Sequence, residues 1–465
     1  MPNLLDFVYQ KYLVPQKARF ADVVRTTVPG RASLSFVVLD EAGHRRLSAE
    51  IVGGKPIKVG IEPLSEAVTQ SEMDQVRQDV VIAVELFEEK VRESTLFFAW
   101  REGEEIVPEK VSGAEKKSLN RLFLETQILL FALFIVLGVF LFVFLPPSML
   151  WYAPLILLAV QFVFVLVSPR FIERTADWRI TAENPTIHLL EYGLPFEEHD
   201  GFREKYPPEK IAEIKKEVYE QTIAKNGEID CETTGEIFRR HGLDCSPDRL
   251  SARKVNVYEL VKKEADRFGF PMPKIVVSNT LIPNAAASGP SPSHGVVLIT
   301  TGLLEQLEED EIHSVLGHEF GHLKGRDPLL LYGLLSTEFL FRFYVVLALF
   351  PIIFANILYF FLYFWGVMTL LFFVAKFFEA RADLISSIVV GQPWVLAGAL
   401  EEIGFKRLLF ERVPSYRVQE WVSLDPHPPI YFRVARLRKL GETVKIAHPL
   451  WQSAKDVTRG FIDSF

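Results

Sequence analysis

Two stretches of this chain carry almost no charge, and they set its plan. From Thr126 to Pro169 there is no charged residue. One helical pass of a bilayer takes about 20 residues, so this stretch is long enough for two. Pro146-Pro147-Ser148 interrupts it, and proline cannot continue a helix. The pattern predicts spans at about 127–145 and 149–167. The second stretch, Pro328–Ala375, holds only Glu338 and Arg342 and has Pro351 near its middle. It predicts another hairpin, at about 328–376. Nothing along either hairpin is polar enough to offer a face to water. Glu338 and Arg342 stand four residues apart on one helix face and read as a structural ion pair near the interface.

The remaining segments alternate polar and apolar positions. Residues 1–115 predict a small α+β domain. Ser33–Leu39, Leu47–Val52 and Lys55–Ile61 are strand-like, and Met73, Val76, Val80, Val84 and Phe87 give Glu72–Arg92 a helical stripe. Residues 116–169 are the first transmembrane hairpin. Residues 170–255 form a polar, partly helical insert, with helices at Pro208–Lys225 and Glu232–Arg240. From residue 256 to 465 the pattern changes. Val257–Phe268 is an amphipathic helix, and Pro273–Val277 and Val296–Thr300 are strands. A helix starts near Leu303.

Charge then orients the spans. Lys116, Lys117 and Arg121 precede the first span, and Arg170, Arg174 and Arg179 follow the second. Lys324 and Arg326 precede the third, and Lys376 and Arg381 follow the fourth. The intervening turns have no basic residue, so the soluble segments and both termini are expected on the cytoplasmic side. The first twenty residues lack the apolar core of a cleavable signal peptide. The net charge of −8 argues against a nucleic-acid partner held by global positive charge. The two cysteines, Cys231 and Cys245, exclude a disulfide scaffold and a four-cysteine zinc module. They read as unpaired thiols in a reducing compartment.

The chemistry concentrates in Asp310–Asp327, which contains His318-Glu319-Phe320-Gly321-His322. Residues i and i+4 of a helix share a face, so both imidazoles can reach one metal, with Glu319 between them to hold a water. Ile312, Val315, Leu316 and Leu323 supply an apolar stripe for such a helix. His313 lies about 140° away around the helix and is not a ligand. A zinc site of this kind takes a third protein ligand and leaves the fourth position to water. Downstream of the second hairpin stands Phe378-Glu379-Ala380-Arg381-Ala382-Asp383. Glu379 is the candidate third ligand, and Asp383, one turn on, can fix the tautomer of a ligand imidazole. An even number of crossings must separate His318 from Glu379, and the stretch between them is two spans long.

These segments resemble the integral-membrane zinc metallopeptidases that include the HtpX-type protease and the CAAX prenyl endopeptidase. The resemblance runs from about Val257 to Leu437 through PMPKIVV, PNAAASG, VVLITTGLLEQLEEDEI, GHEFGHLKGRD, FEARAD and HPPIYFRVARL. Two spans before the catalytic core and two within it are closer to the HtpX type. The resemblance implies a mainly α membrane protein with four transmembrane helices, a cytoplasmic α+β zincin-like peptidase domain and the small N-terminal α+β domain. It implies one zinc ion per chain, held by His318, His322 and Glu379, with Glu319 as general base. Asn284 and Ala285 match an edge strand that pairs with an extended substrate. His427 and Arg433 match catalytic-site residues that stabilise the oxyanion or orient acidic groups. The expected function is endopeptidase cleavage at the cytoplasmic membrane surface, serving membrane-protein quality control. The partners are then polypeptides, misfolded membrane proteins among them, and the lipid bilayer. Two alternatives are a C-terminal processing peptidase of the CAAX type and an inactive membrane scaffold with a relic zinc site. Residues 1–115 and most of 180–250 lie outside the resemblance.

Overall fold

The computed structural model describes residues 2–28, 31–40, 42–53, 57–92, 95–104, 106–108, 136, 139–140, 143–194, 202–346, 357–411, 414–441 and 446–464. The expected first span lies largely outside these residues, as does the turn of the second hairpin. The chain divides into two compact units.

The first unit holds Met1–Leu96, with Tyr192–Pro207 and Gly404–Leu409. It begins with helix α1 (Pro2–Val8). A four-stranded antiparallel sheet follows, in the order β1 (Phe20–Val28), β2 (Arg31–Leu39), β3 (Arg45–Val52), β4 (Lys58–Pro63). Alternate side chains of β2 and β3 point inward, so Leu34, Phe36, Val38, Leu47, Ala49 and Ile51 form one buried face. Helix α2 (Gln70–Arg92) lays Val76, Val80 and Ala83 on it. Inside that core the Tyr12 hydroxyl donates to Asp79 at 2.8 Å. β1 was not foreseen, because Asp22 sits there at φ +48° and a register shift between Ala21 and Val24 breaks the alternation.

The second unit carries the predicted chemistry. Strand β5 (Thr95–Arg101) is followed by helix α3 (Ala153–Thr175) and strands β6 (Trp178–Ile180) and β7 (Thr186–Gly193). Then come α4 (Pro208–Gln221), α5 (Cys231–Arg240), β8 (Leu250–Asn256), α6 (Val257–Phe268), β9 (Lys274–Ser278), β10 (Ala285–Ser288) and β11 (Val296–Thr300). β5, β7 and β8 make a three-stranded sheet, so the insert is less purely helical than its polarity implied. The other sheet has the order β10-β11-β9-β6. The β11–β9 pair is parallel and the flanking pairs are antiparallel. Helices follow along the chain: α7 (Glu309–Gly325), α8 (Asp327–Phe341), α9 (Ile357–Val389), α10 (Pro393–Glu411), α11 (Pro414–Val422), α12 (Ile430–Arg438) and α13 (Pro449–Ile462).

Two segments among the described residues are long and apolar enough to cross a membrane, Ser148–Thr175 and Phe361–Val389. Large apolar side chains stand on their outer surfaces, among them Leu155, Val163, Leu166, Phe361, Trp365 and Leu370. Such a contiguous apolar surface fits lipid and not water. Helix α3 runs on through Pro169 to Thr175, past the expected end of that span. Arg342 and Glu338 pair at 3.0 Å, as their spacing predicted.

One expectation is overturned. Cys231 and Cys245 are not free thiols but form a disulfide, with Cα atoms 5.7 Å apart. Asp230 caps the start of α5, which places Cys231 at its first position. The loop after the helix returns Cys245 alongside Gly235. Their separation of 14 residues concealed this approach.

Candidate metal centre

Helix α7 is built to start and stop where it does. Glu308 and Glu311 form a capping box, and three acidic residues occupy the first turn. Ile312, Leu316, Phe320 and Leu323 are buried on its inner side. Gly317 and Gly321 face α9. A Cβ on Gly317 would stand 2.4 Å from Val390, and one on Gly321 would stand 3.0 Å from Ala382. The two glycines let the helices approach until the residues flanking them meet those of α9.

At that contact three of the sequence-predicted residues converge. The Nε2 atoms of His318 and His322 are 3.2 Å apart. Glu379, from α9, places one carboxylate oxygen 3.5 Å from His318 Nε2 and the other 3.4 Å from His322 Nε2. One ligand atom from each residue falls within 4.8 Å of the others. Ligands bound at about 2.0–2.1 Å around a tetrahedral ion stand about 3.3–3.4 Å from one another, so the triangle has the size of a metal site.

Each imidazole is held from behind through Nδ1. His318 Nδ1 meets Asp383 at 2.9 Å. Arg433 in turn grips both oxygens of Asp383, at 2.9 and 2.7 Å. His322 Nδ1 meets Asp327 at 2.8 Å, and Arg381 pairs with Asp327. Two arginine–carboxylate pairs thus fix both tautomers with Nε2 directed at the cluster. Arg433 is buried, 5% exposed, with its fork spent on Asp383. It reaches the cluster from α12, whose first turn is anchored where the Ile430 and Tyr431 amides donate to Glu411 at 2.9 Å each.

Asp327, Arg381 and Gly325 were not singled out in the sequence. A Cβ on Gly325 would lie 1.8 Å from the Arg381 guanidinium and 2.8 Å from Asp327. Arg326 turns the chain between α7 and α8 at φ +54°. That corner brings Asp327 back onto His322. The signal was present in the string GHLKGRD, but only the corner gives it meaning.

Of the remaining predicted residues, Glu319 and His427 border the cluster, and Asn284 and Ala285 lie at the start of β10. Glu319 accepts a 2.9 Å hydrogen bond from the Ala287 amide of β10. Asn284 spends both its amide and its carbonyl on Thr300. In an antiparallel pair alternate residues face the partner, so Ala285 and Ala287 present their backbone groups to the free edge. The Ala287 bond to Glu319 confirms that direction. His427 is half-exposed. Its Nδ1 is 2.7 Å from Asp425, and its Nε2 is 3.7 Å from Glu379. His313 is buried against Glu264, 2.7 Å away, and is no part of the cluster.

Burial disfavours protonated His318, but the Asp383 and Glu379 carboxylates outweigh it and lift its pKa to about 10. Burial dominates at His322 and pushes its pKa down. Carboxylates that draw positive charge into a closed site are what a bound cation would balance.

The model of peptidase family M48 matches residues 251–441. A Protease HtpX homolog from Pyrococcus furiosus is 32% identical over 218 residues, 40% of this chain and 73% of that protein. Another, from Gemmatimonas aurantiaca, is 28% identical over 224 residues, 40% of this chain and 75% of that protein. Among solved structures, S. mikatae Ste24p aligns over 80% of this chain and 78% of its own, at 15% identity and a TM-score of 0.39.

Proposed function

Because the chain belongs to peptidase family M48 and to its HtpX-type proteases, we propose that it is a membrane-embedded zinc endopeptidase acting at the cytoplasmic membrane surface. The observation that carries the reading is the triangle of His318, His322 and Glu379, whose donor atoms are spaced for a tetrahedral ion. In this reading those three residues hold the zinc, which when bound would acidify water and polarise the scissile carbonyl. Glu319 accepts a proton from the attacking water and passes it to the leaving nitrogen. The Ala287 amide, 2.9 Å away, keeps that carboxylate aimed. The substrate lies along β10 as an added strand, on Ala285 and the Ala287 carbonyl. His427, oriented by Asp425, faces the cluster from the solvent side and stabilises the oxyanion.

Recognition through main-chain groups is indifferent to side chains. It demands a segment that can be pulled straight, which unfolded polypeptides supply. This favours membrane-protein quality control over trimming of one defined C-terminus. The Lys and Arg placement around the apolar stretches supports four spans with the metal centre on the cytoplasmic face.

The test is the full chain in mild detergent beside Glu319→Gln, scored for zinc per chain and casein cleavage. We expect one zinc in both and a loss of cleavage of about 10²–10⁴-fold in the variant. Undiminished turnover in the variant would remove Glu319 as the base.

A further inference from the structure

We propose that the cavity where α3 ends binds the phosphate headgroup of an anionic lipid. The inference rests on α3 crossing the bilayer and owes nothing to the metal centre. The cavity, of about 410 Å³, is lined by Arg170, Glu173, Arg174, Arg179 and Lys274. It begins just beyond the apolar run of α3, at the level where a lipid's headgroup replaces its tails.

Three chain segments bring charge to this place: the last turns of α3, strand β6 and the first residue of β9. Glu173 is shared by Arg179 and by Lys274, the latter at 2.6 Å. Arg170 and Arg174 lie one turn apart on one face of α3. Among the described residues neither has an acidic partner. Four cations therefore surround a single carboxylate. The negative end of the helix dipole accounts for a basic residue in the last turn of α3. It does not account for cations delivered by two strands to the same cavity. A phosphodiester would satisfy the two free guanidinium forks, which match its oxygens in pairs. Basic groups at the membrane surface gain further from an anionic leaflet.

The location links this cavity to the substrate edge. β6 and β9 belong to the sheet whose opposite edge is β10. Ser168 of α3 also meets Ser288 of β10 at 3.3 Å. A headgroup bound between α3, β6 and β9 would hold that sheet at a fixed height above the lipid.

The experiment uses the full chain, delipidated in a neutral detergent. Its binding is titrated with dioctanoyl phosphatidylglycerol, dioctanoyl phosphatidylcholine, glycerol phosphate and inorganic phosphate. We expect saturable binding of phosphatidylglycerol alone. The double variant Arg170→Gln/Arg174→Gln should weaken it about thirtyfold, while Arg170→Lys/Arg174→Lys falls between that variant and the unmutated chain, keeping the charge and losing the paired fork. Zinc content and casein cleavage are read on the same samples, which separates loss of the headgroup site from loss of fold or of the catalytic reading. Equal binding of phosphatidylcholine, or an unchanged glutamine variant, would overturn the proposal. Inorganic or glycerol phosphate binding as tightly as the lipid would also overturn it and assign the cavity to a soluble phosphate.

Discussion

Asp327 and Asp383 decide what His318 and His322, the proposed ligand histidines, can do. Each accepts the Nδ1 proton of one imidazole and is itself gripped by an arginine, Arg381 or Arg433. Outer partners of this kind are worth about 10–100-fold in metal affinity. We therefore expect Asp327→Asn to weaken zinc binding by that factor, measured by competition with a chromophoric chelator. Gly325→Ala should do the same without touching a ligand, because its Cβ would displace Arg381. Zinc affinity unchanged in both variants would deny the pair its role. The inner residues were legible in the sequence because spacing alone puts His318 and His322 on one helix face. Asp327 was not, since its approach depends on a left-handed turn at Arg326, where nothing in the residue type announces one. Asn284 was matched by sequence to a substrate edge, and the structure shows its backbone amide and carbonyl paired with Thr300, a phase that no residue type announces.

At the scale of elements, the long periodic helix and the five-residue strands β9 and β11 were readable, and the shortest strand was not. The helix expected at Glu72–Arg92 is α2, within two residues. β6 has three residues, too few to show a period, yet it closes the edge of the sheet opposite β10. β7 carries a residue with a measurable consequence. His188 is partly buried there, and burial, reinforced by Lys254, pushes its pKa below the ordinary 6.5. The unfolded chain then takes up a proton near pH 6.5 that the folded chain refuses. Stability falls as the pH drops through that value. We expect His188→Gln to lose less stability than the unmutated chain between pH 7.5 and 5.5 in urea unfolding. An identical pH dependence would show that another group is responsible.

For the whole molecule, the apolar stretches announced a membrane protein, because a bilayer imposes its own length on a sequence. The cysteine pair was hidden because proximity through a folded loop leaves no trace in spacing. It also bears on topology. In the proposed topology the polar segments are cytoplasmic, where disulfides are uncommon outside hyperthermophiles. We expect both cysteines to resist alkylation in intact cells until a reductant is added. Ready alkylation of both would mean that the bond seen between Cys231 and Cys245 does not form there. A final consequence follows from α9, a single helix from Ile357 to Val389. Its apolar part and Glu379 are one continuous rod. Lys376, its first charge, stands only three positions before Glu379, about 4.5 Å of rise. Hydrophobic mismatch that tilts or lifts this rod therefore moves Glu379, the proposed third metal ligand. The enzyme should read bilayer thickness as a mechanical input, and its cleavage rate should pass through a maximum as lipid acyl chains are lengthened.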